Sequence, residues 1–341
     1  MSSVPADAPA RPASTRRSRP VLRTVAQRLG LGLVTLFLVS IIIFAAVEAL
    51  PGDFARAILG QSATPDTVAA FQEELGLDRP PVERYLLWIG GVLQGDFGES
   101  FASIGSFSGE ERTVMSLVGP RLANTLLLAG ITAAIAVPLA LLLGLLAALY
   151  RNSWFDRAIN TFTLTAISVP EFFVAYLLML FLAVKWQLFH SVAMVSADMP
   201  LGEQLERMAL PVLTLVLGTL AHMMRMTRAT IVNLLANPYI EMARLKGLRR
   251  STVIWRHALP NAWAPIVTIV ALYLAYLIAG VVVVEVVFVY PGIGQLMVDA
   301  VGSRDVPVVQ ACALIFAGVY ILLNLFADVV GIVTNPRLLH P

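Results

Sequence analysis

The chain has 341 residues, of which 58% are hydrophobic and only 13% are charged, and its formal net charge is +2. Soluble globular domains contain about 45–50% apolar and about 25% charged residues, so this composition places most of the surface against lipid. The small and scattered excess of basic residues gives no indication of nucleic-acid binding. Because Cys312 is the only cysteine, a disulfide framework within the chain is excluded.

Residues 1–22 are rich in Pro, Ala and Arg, and we expect them to form a disordered, basic, cytoplasmic N-terminus. The apolar run that follows is longer than the hydrophobic region of a typical signal peptide, and no small-residue cleavage site is evident. We therefore expect an uncleaved anchor, with the first transmembrane helix over residues 23–50.

Six stretches of the sequence are apolar enough to cross a membrane, which requires about 20 helical residues. Lipid offers the backbone no hydrogen-bond partners, so each stretch must satisfy its own backbone groups as a helix. We predict an all-α integral membrane protein with six transmembrane helices. The stretches are residues 29–47, 122–150, 158–184, 208–224, 257–284 and 306–327.

The distribution of basic residues predicts the orientation. Most of the 24 Lys and Arg residues fall before the first span, at residues 151–157, at residues 225–256 and in the short C-terminal segment 335–341. Because short loops rich in Lys and Arg remain in the cytoplasm, we expect a multi-pass protein with both termini cytoplasmic.

Residues 51–120 then form an extracytoplasmic segment between the first two spans. Thr64-Pro65 has the pattern of a helix N-cap followed by proline, and Gly76 is a typical helix end. A second helix is expected from Pro80, with apolar residues at helical spacing. The segment is predicted to be helical, and it either lies on the outer membrane surface or folds as a small cap.

A polar, Arg-rich segment separates the fourth and fifth spans. From residue 237 it reads NPYIEMARLKGLRRSTVIWRHALPNA. Glu241, Ala243 and Gly247 stand at relative positions 0, +2 and +6, and Leu259-Pro260 follow twelve residues after the glycine. Proline at position 238 favours a helix start, so a helix about 20 Å long is expected over residues 238–250.

This spacing resembles the EAA loop of ABC importer permeases, from which Met242 and His257 are departures. Further motifs are similar to the dipeptide/oligopeptide/nickel branch of that family and occur in the same order. The resemblance covers residues 23–339. The motifs are LPGDFARAILG, ATPDTV, GDFGES, RLANTLLL, RHALPNA, VVVVEVVFVYPGIGQL and NPRLL.

The resemblance implies the permease subunit of an ATP-driven importer in the bacterial plasma (inner) membrane, with residues 121–334 as the permease core. The implied partners are a homologous second permease, forming a heterodimer, two ATP-binding cassette ATPases, an extracytoplasmic solute-binding protein and lipid. The sequence has no Gly-x-x-x-x-Gly-Lys-Ser/Thr phosphate loop. We therefore expect no enzymatic activity and no cofactor in this chain, with ATP and Mg²⁺ bound by the ATPases.

By the same resemblance, the helix in the EAA loop couples transport to the ATPase. Ala243 and Gly247 are four residues apart, and we expect them to share a helical face that a partner approaches closely. Glu241 is expected to cap donors or to meet a partner cation, and His257 to orient the loop. The alternative is a basic helix held by anionic lipid. The residues assigned to coupling are Glu241, Ala243, Gly247, His257, Leu259 and Pro260.

Two carboxylates lie inside predicted spans, where a charge costs about 2.5–3.5 kcal/mol and normally faces protein or a water-filled cavity. Glu171 is expected near the middle of the third span. There it either lines the translocation pathway, suited to a cation such as a peptide N-terminus, or pairs with a buried group of a neighbouring subunit. Glu285 is expected near the outer end of the fifth span, where it either lines the pathway or fixes the Pro291-Gly292 turn.

Two other features fall within the spans. Asp328 is expected to form an ion pair with Arg225 or Arg228 near the cytoplasmic end of the sixth span. Pro170 lies inside the third span, where it is expected to kink the helix because proline removes a backbone hydrogen bond.

The sequence thus predicts a permease that imports di- or oligopeptides by alternating access. A nickel or glutathione-like nutrient importer of the same family is the alternative substrate assignment. A membrane scaffold or sensor that does not transport is the alternative from another class, and a passive channel would have no use for an EAA loop.

Overall fold

The computed structural model describes residues 18–49, 55–56, 63–104, 113–196, 198–249 and 252–334. Within these ranges the ordered elements are helices, apart from an isolated β-bridge between Glu99 and Thr113. The predicted all-α fold is confirmed. The main α-helices are α1 Ser18–Glu48, α2 Pro65–Glu74, α3 Pro81–Leu93, α4 Phe101–Ile104, α5 Val114–Leu149, α6 Trp154–Ser168, α7 Glu171–Leu178, α8 Leu201–Leu235, α9 Pro238–Leu245, α10 Leu259–Phe288, α11 Ile293–Ser303 and α12 Val306–Thr334.

Five of the described helices, α1, α5, α8, α10 and α12, are long and apolar enough to cross a membrane. The remaining predicted span, residues 158–184, is divided between α6 and α7, which meet at 103°. Helix α7 continues as a π-helix over Met179–Lys185. The bent pair brings the membrane segments among the described residues to six by length and composition, in agreement with the prediction, but the third span is broken at Pro170 and not only kinked.

The break between α6 and α7 follows from Pro170. A proline disfavours helical backbone angles in the residue before it, and Val169 is extended, with φ −101° and ψ 127°. Pro170 then caps α7, and its carbonyl accepts a hydrogen bond from the Phe173 N–H at 3.0 Å. As a result, Glu171 is the first residue of α7 and does not lie in the middle of a helix.

The first and second spans begin earlier than expected. Helix α1 already includes residues 18–22, which were predicted to be disordered, whereas residues 1–17 lie outside the described part of the chain. Helix α5 begins at Val114, before the expected boundary at residue 121, and Thr113 caps it by accepting a hydrogen bond from the Ser116 N–H. The predicted C-terminal segment 335–341 is also outside the described residues.

The two helices predicted in the segment after α1 are confirmed. Thr64 caps α2 in a reciprocal capping box with Thr67, and Gly76 follows the helix with φ +63°. Helix α3 packs on α1, where the hydroxyls of Tyr85 and Ser40 are 2.9 Å apart. Its N-terminal end is bound to the same helix by an ion pair between Arg84 and Glu48.

Helix α8 occupies the centre of the bundle and packs against α5, α6, α7 and α10. Its contact with α5 depends on small buried residues at every fourth position of α5, which include Ala136, Ala140, Gly144 and Ala148. A Cβ atom on Gly144 would lie 2.8 Å from the Met224 carbonyl oxygen, so glycine is required at this crossing. Small residues let helices approach closely in lipid, where association depends on packing.

Ion pairs also join the membrane-spanning helices to one another. Arg228 on α8 donates from Nε to Asp156 Oδ1 at 2.6 Å and from Nη2 to Oδ2 at 2.8 Å, which ties α6 to α8. Asp328 on α12 pairs with Arg28 on α1 at 3.0 Å. The prediction that Asp328 pairs with Arg225 or Arg228 was therefore wrong, because Arg228 is bound to Asp156 and α1 lies against α12.

Candidate functional site

The first candidate site is α9 and the turns around it, which correspond to the Arg-rich segment of the sequence. Helix α9 begins at Pro238, only three residues after α8 ends. The side-chain amide of Asn237 donates to the carbonyls of Asn233 at 3.2 Å and Leu234 at 3.1 Å at the end of α8, and these carbonyls also accept the backbone N–H groups of Ala236 and Asn237. The Asn237 side chain therefore binds the start of α9 to the end of α8.

The inner face of α9 packs on the same chain. Ile240 and Ala243 are buried together with Val253 and Ala258, and the side chains of α8 residues Leu234 and Leu235 pack against them. Ala243 was expected to face a partner, but it is only 5% exposed and faces this cluster. We infer that the small side chain at position 243 lets α9 approach its own chain.

Gly247 ends the helix. Its backbone has φ +75°, its N–H donates to the Arg244 carbonyl at 2.9 Å, and the Leu248 N–H donates to the Ala243 carbonyl at 3.4 Å. This pair of bonds is a Schellman motif, which requires a left-handed residue and favours glycine. Helix α9 thus has eight residues, about 12 Å in length, and the predicted helix of thirteen residues with Gly247 on its face was wrong.

The outer face of α9 carries large apolar side chains. Met242 is 55% exposed and Leu245 is 75% exposed, and Glu241 is also at the surface. Sequence reasoning missed Met242 and Leu245 because Met242 was treated only as a departure from a family pattern. The available signal was their spacing of three residues, since Ile240 and Ala243 repeat at the same spacing on the opposite face.

After α9 the chain enters a π-helix, Val253–Ala258, which contains His257. The carbonyl of His257 accepts a hydrogen bond from the Asn261 side-chain amide at 2.8 Å. Helix α10 starts at Leu259 and has Pro260 in its first turn, as the sequence predicted. The segment from α9 to Pro260 therefore connects two membrane-spanning helices directly.

The second candidate site is a cavity of about 770 Å³ between α6, α7, α8 and α10. Its walls combine apolar residues with a few polar groups, as is usual for sites that bind small molecules. Ring contacts line one wall, with His222 and Tyr273 stacked at 5.8 Å and Tyr273 and Tyr276 at 6.0 Å between ring centroids. The polar and aromatic lining residues are Phe162, Thr165, Glu171, Thr214, Thr219, His222, Tyr273 and Tyr276.

Glu171 lines this cavity from the N-terminal end of α7. Its carboxylate lies against two glycines: a Cβ atom on Gly280 would stand 2.8 Å from Oε2, and one on Gly218 would stand 3.4 Å from Oε1. A negative charge is favourable at a helix N-terminus, because the helix dipole is positive there. The broken third span therefore supplies a position where a carboxylate is tolerated inside the membrane.

Glu285 has a different environment, because its side chain is fully buried. It accepts hydrogen bonds from Thr125 Oγ1 at 2.6 Å and from the backbone N–H groups of Gly294 at 2.7 Å and Gln295 at 3.3 Å. These N–H groups belong to the first turn of α11, where they have no partner within the helix. Glu285 thus caps α11 from the preceding helix and binds it to α5.

Two glycines make this arrangement possible. A Cβ atom on Gly292 would overlap the Glu285 carboxylate, and one on Gly294 would lie 2.8 Å from both Oε2 and Val282 Cα. Asn124 completes the turn by donating from Nδ2 to the Pro291 carbonyl at 2.8 Å. Of the two interpretations of Glu285, these contacts favour a carboxylate that fixes the Pro291-Gly292 turn.

Comparison with known proteins places the chain in a family. Residues 140–340 match the model described as binding-protein-dependent transport system inner membrane component, and residues 21–129 match the N-terminal model of such membrane components. The chain is 34% identical over 314 residues to the probable peptide ABC transporter permease protein y4tP of Sinorhizobium fredii, covering 92% of this chain and 98% of that protein. It is 38% identical over 321 residues to the glutathione transport system permease protein GsiC of Escherichia coli, covering 93% and 99%.

The bundle, with its cavity and a short surface helix between two spans, defines a multi-pass membrane transport subunit. The chain belongs to the family of binding-protein-dependent transport system inner membrane components. It is a permease subunit of an ABC importer, and its role is transport. The interpretation as a scaffold or sensor that does not transport is set aside.

Because the Glu285 carboxylate lies against Gly292, a methyl group added at position 292 should destabilise the protein, whereas one added at a glycine with open space should not. Gly292→Ala should lower the free energy of unfolding by roughly 2–4 kcal/mol, because the new methyl group displaces the capping carboxylate. Gly302→Ala is the control, since a Cβ atom there meets no atom within 4 Å. Thermal unfolding of the solubilised protein would measure both, and equal stability of the two variants would contradict this account of the turn.

Proposed function

We propose that this permease imports di- or oligopeptides across the bacterial inner membrane by alternating access. The support is its similarity over most of its length to a probable peptide permease and to a glutathione permease. Glutathione is itself a tripeptide, and the GsiC relationship makes it the second candidate substrate. The volume of the cavity and its partly aromatic lining suit a small organic solute.

The proposed assembly contains two permeases, two ATPases and an extracytoplasmic solute-binding protein. ATP and Mg²⁺ would be bound by the ATPases, and this chain would supply neither a cofactor site nor hydrolysis. With both termini in the cytoplasm, α9 faces the cytoplasm and the segment with α2 and α3 faces the opposite side. This orientation agrees with the concentration of Lys and Arg around α9.

We assign coupling to α9 because the helices before and after it both line the cavity. Helix α8 precedes α9 and lines the cavity through Thr214, Gly218 and His222, whereas α10 follows it and lines the cavity through Tyr273 and Gly280. A displacement of α9 by an ATPase would therefore move two walls of the cavity together. From Leu235 to Gly218 the distance along α8 is about 26 Å.

The contact surface proposed for the ATPase is the outer face of α9, formed by Met242 and Leu245 with Glu241 beside them. Two exposed apolar side chains on a short polar helix suit insertion into a groove, with the carboxylate available to a cation at its rim. Ala243, Gly247, His257, Leu259 and Pro260 would act indirectly, since they hold α9 at the corner and start α10.

Uptake of labelled solutes tests the proposed function. Cells that carry the complete transporter should take up a labelled dipeptide, an oligopeptide or glutathione in an ATP-dependent manner, and deletion of this chain should abolish that uptake. Nickel uptake should not change. Loss of nickel uptake with peptide and glutathione uptake intact would overturn the peptide assignment.

Gly247 offers a test of how the coupling segment works. Asn and Val are both larger than Gly, but Asn tolerates left-handed backbone angles and a β-branched residue does not. If coupling depends on the Schellman turn, Gly247→Val should lower transport about tenfold and Gly247→Asn should retain most of it. The amount of protein in the membrane serves as the control measurement.

The competing explanation is that the ATPase approaches position 247 too closely for any side chain. In that case Gly247→Asn and Gly247→Val would abolish transport equally, although a Cβ atom at this position meets nothing within 4 Å in the isolated chain. Equal loss of transport in both variants would therefore show that coupling does not depend on the Schellman turn and would place Gly247 in the contact with the ATPase.

A further inference from the structure

The carboxylate of Glu171 stands without a partner in the cavity wall. Among the residues that the structure describes, no hydrogen bond or ion pair joins its side chain to another group, whereas Glu285 has three donors. Carboxylates inside a membrane normally face a cation or a water-filled path. We therefore expect the carboxylate of Glu171 to interact with a group from another molecule.

The surroundings of Glu171 are shaped around its two oxygen atoms. Gly218 on α8 and Gly280 on α10 leave the space that its carboxylate occupies, because a side chain on Gly280 would stand within 2.8 Å of Oε2. Three separate elements thus contribute to one small pocket within the larger cavity. Glu171 is therefore part of a pocket formed by three helices and is more than an acidic residue at a helix N-terminus.

The aromatic wall adds a second feature that suits an organic solute. Tyr273 and Tyr276 lie on α10, the same helix as Gly280, and they line the cavity with Phe162 and His222. Because the Arg225 guanidinium already acts on His222 and Tyr273 through its charge, these aromatic faces suit the uncharged part of an organic solute, and the ammonium group is left to the carboxylate. A solute with one ammonium group and an apolar or amide body matches both surfaces.

An anionic solute group fits this position poorly. The N-terminus of a broken membrane helix ordinarily favours negatively charged ligands, since its N–H groups and dipole are positive. Here the first residue of α7 is itself a carboxylate, and its charge opposes an anion at the same place. The carboxylate therefore makes this helix N-terminus unfavourable for an anion, whereas such an end usually attracts one.

We propose that Glu171, framed by Gly218 and Gly280, is the binding site for the ammonium group of the transported solute during its passage through the cavity. This inference rests on the proposed function as a peptide importer. The ammonium group can come from the N-terminus of a peptide or from the amino group of glutathione, and the two sources are separated by the choice of substrate.

The test compares substrates with and without the ammonium group. A free tripeptide and its desamino analogue are chosen as a pair that the wild-type transporter carries, and glutathione is measured in parallel. Glu171→Gln should lower uptake of the free tripeptide about tenfold and uptake of the desamino analogue less than twofold. A parallel loss for glutathione would extend the site to that substrate.

A change at Gly280 provides an independent variant. Gly280→Ala should displace the carboxylate and reproduce the same selectivity, while adding little to the loss in a Glu171→Gln background, as expected for residues that act through one contact. Glu203→Gln is the control, because Glu203 is an exposed carboxylate paired with Arg207 at 2.8 Å, outside the cavity lining. It should leave both uptake rates unchanged.

The outcomes separate this inference from the proposed function. If the wild-type transporter carries no peptide, the peptide function fails whatever Glu171 does. If it carries peptides and Glu171→Gln reduces the free and desamino substrates equally, or reduces neither, the ammonium site is overturned. Equal reduction would assign Glu171 to subunit pairing or folding.

Discussion

Where this chain reverses, the end groups of its helices have no partner inside the helix and need hydrogen bonds from elsewhere. The structure meets this constraint with specific side chains and glycines. Asn237 caps the end of α8, Gly247 closes α9, and Glu285 caps the start of α11 from a neighbouring helix. Asp305, the residue before α12, likewise caps the start of α4 by accepting from Ser100 and from the Phe101 and Ala102 N–H groups.

These closed corners make the segment around α9 a rigid connection between two membrane helices. Asn237 bonds to the end of α8, and Ile240 and Ala243 pack against the last residues of that helix, so α9 is attached to α8 by both contacts. Helix α8 is in turn bound to α6 through Arg228 and Asp156 and to α5 through the crossing at Gly144. On the proposed mechanism, movement imposed on α9 would thus be passed to the helices that surround the cavity.

The sequence predicted the helical fold, the helices after α1, and the start of α10 at Leu259, because apolar length and capping patterns are local properties. It did not predict the break before Glu171, although Val169-Pro170 carried the signal and was interpreted as a kink. Gly247 was interpreted as a contact residue, since spacing alone does not report a positive φ angle. The contact of Glu285 with Thr125 spans 160 residues and is visible only in three dimensions.

Cross-linking from the outer face of α9 tests the central claim most directly. Single cysteines would be placed by Met242→Cys and Leu245→Cys, with Val82→Cys on α3 as an exposed control; the native Cys312 is buried. In the complete transporter, a thiol-directed cross-linker should join positions 242 and 245 to an ATPase subunit and leave position 82 unlinked to it. Absence of ATPase products from both α9 positions, or equal products from position 82, would contradict the account.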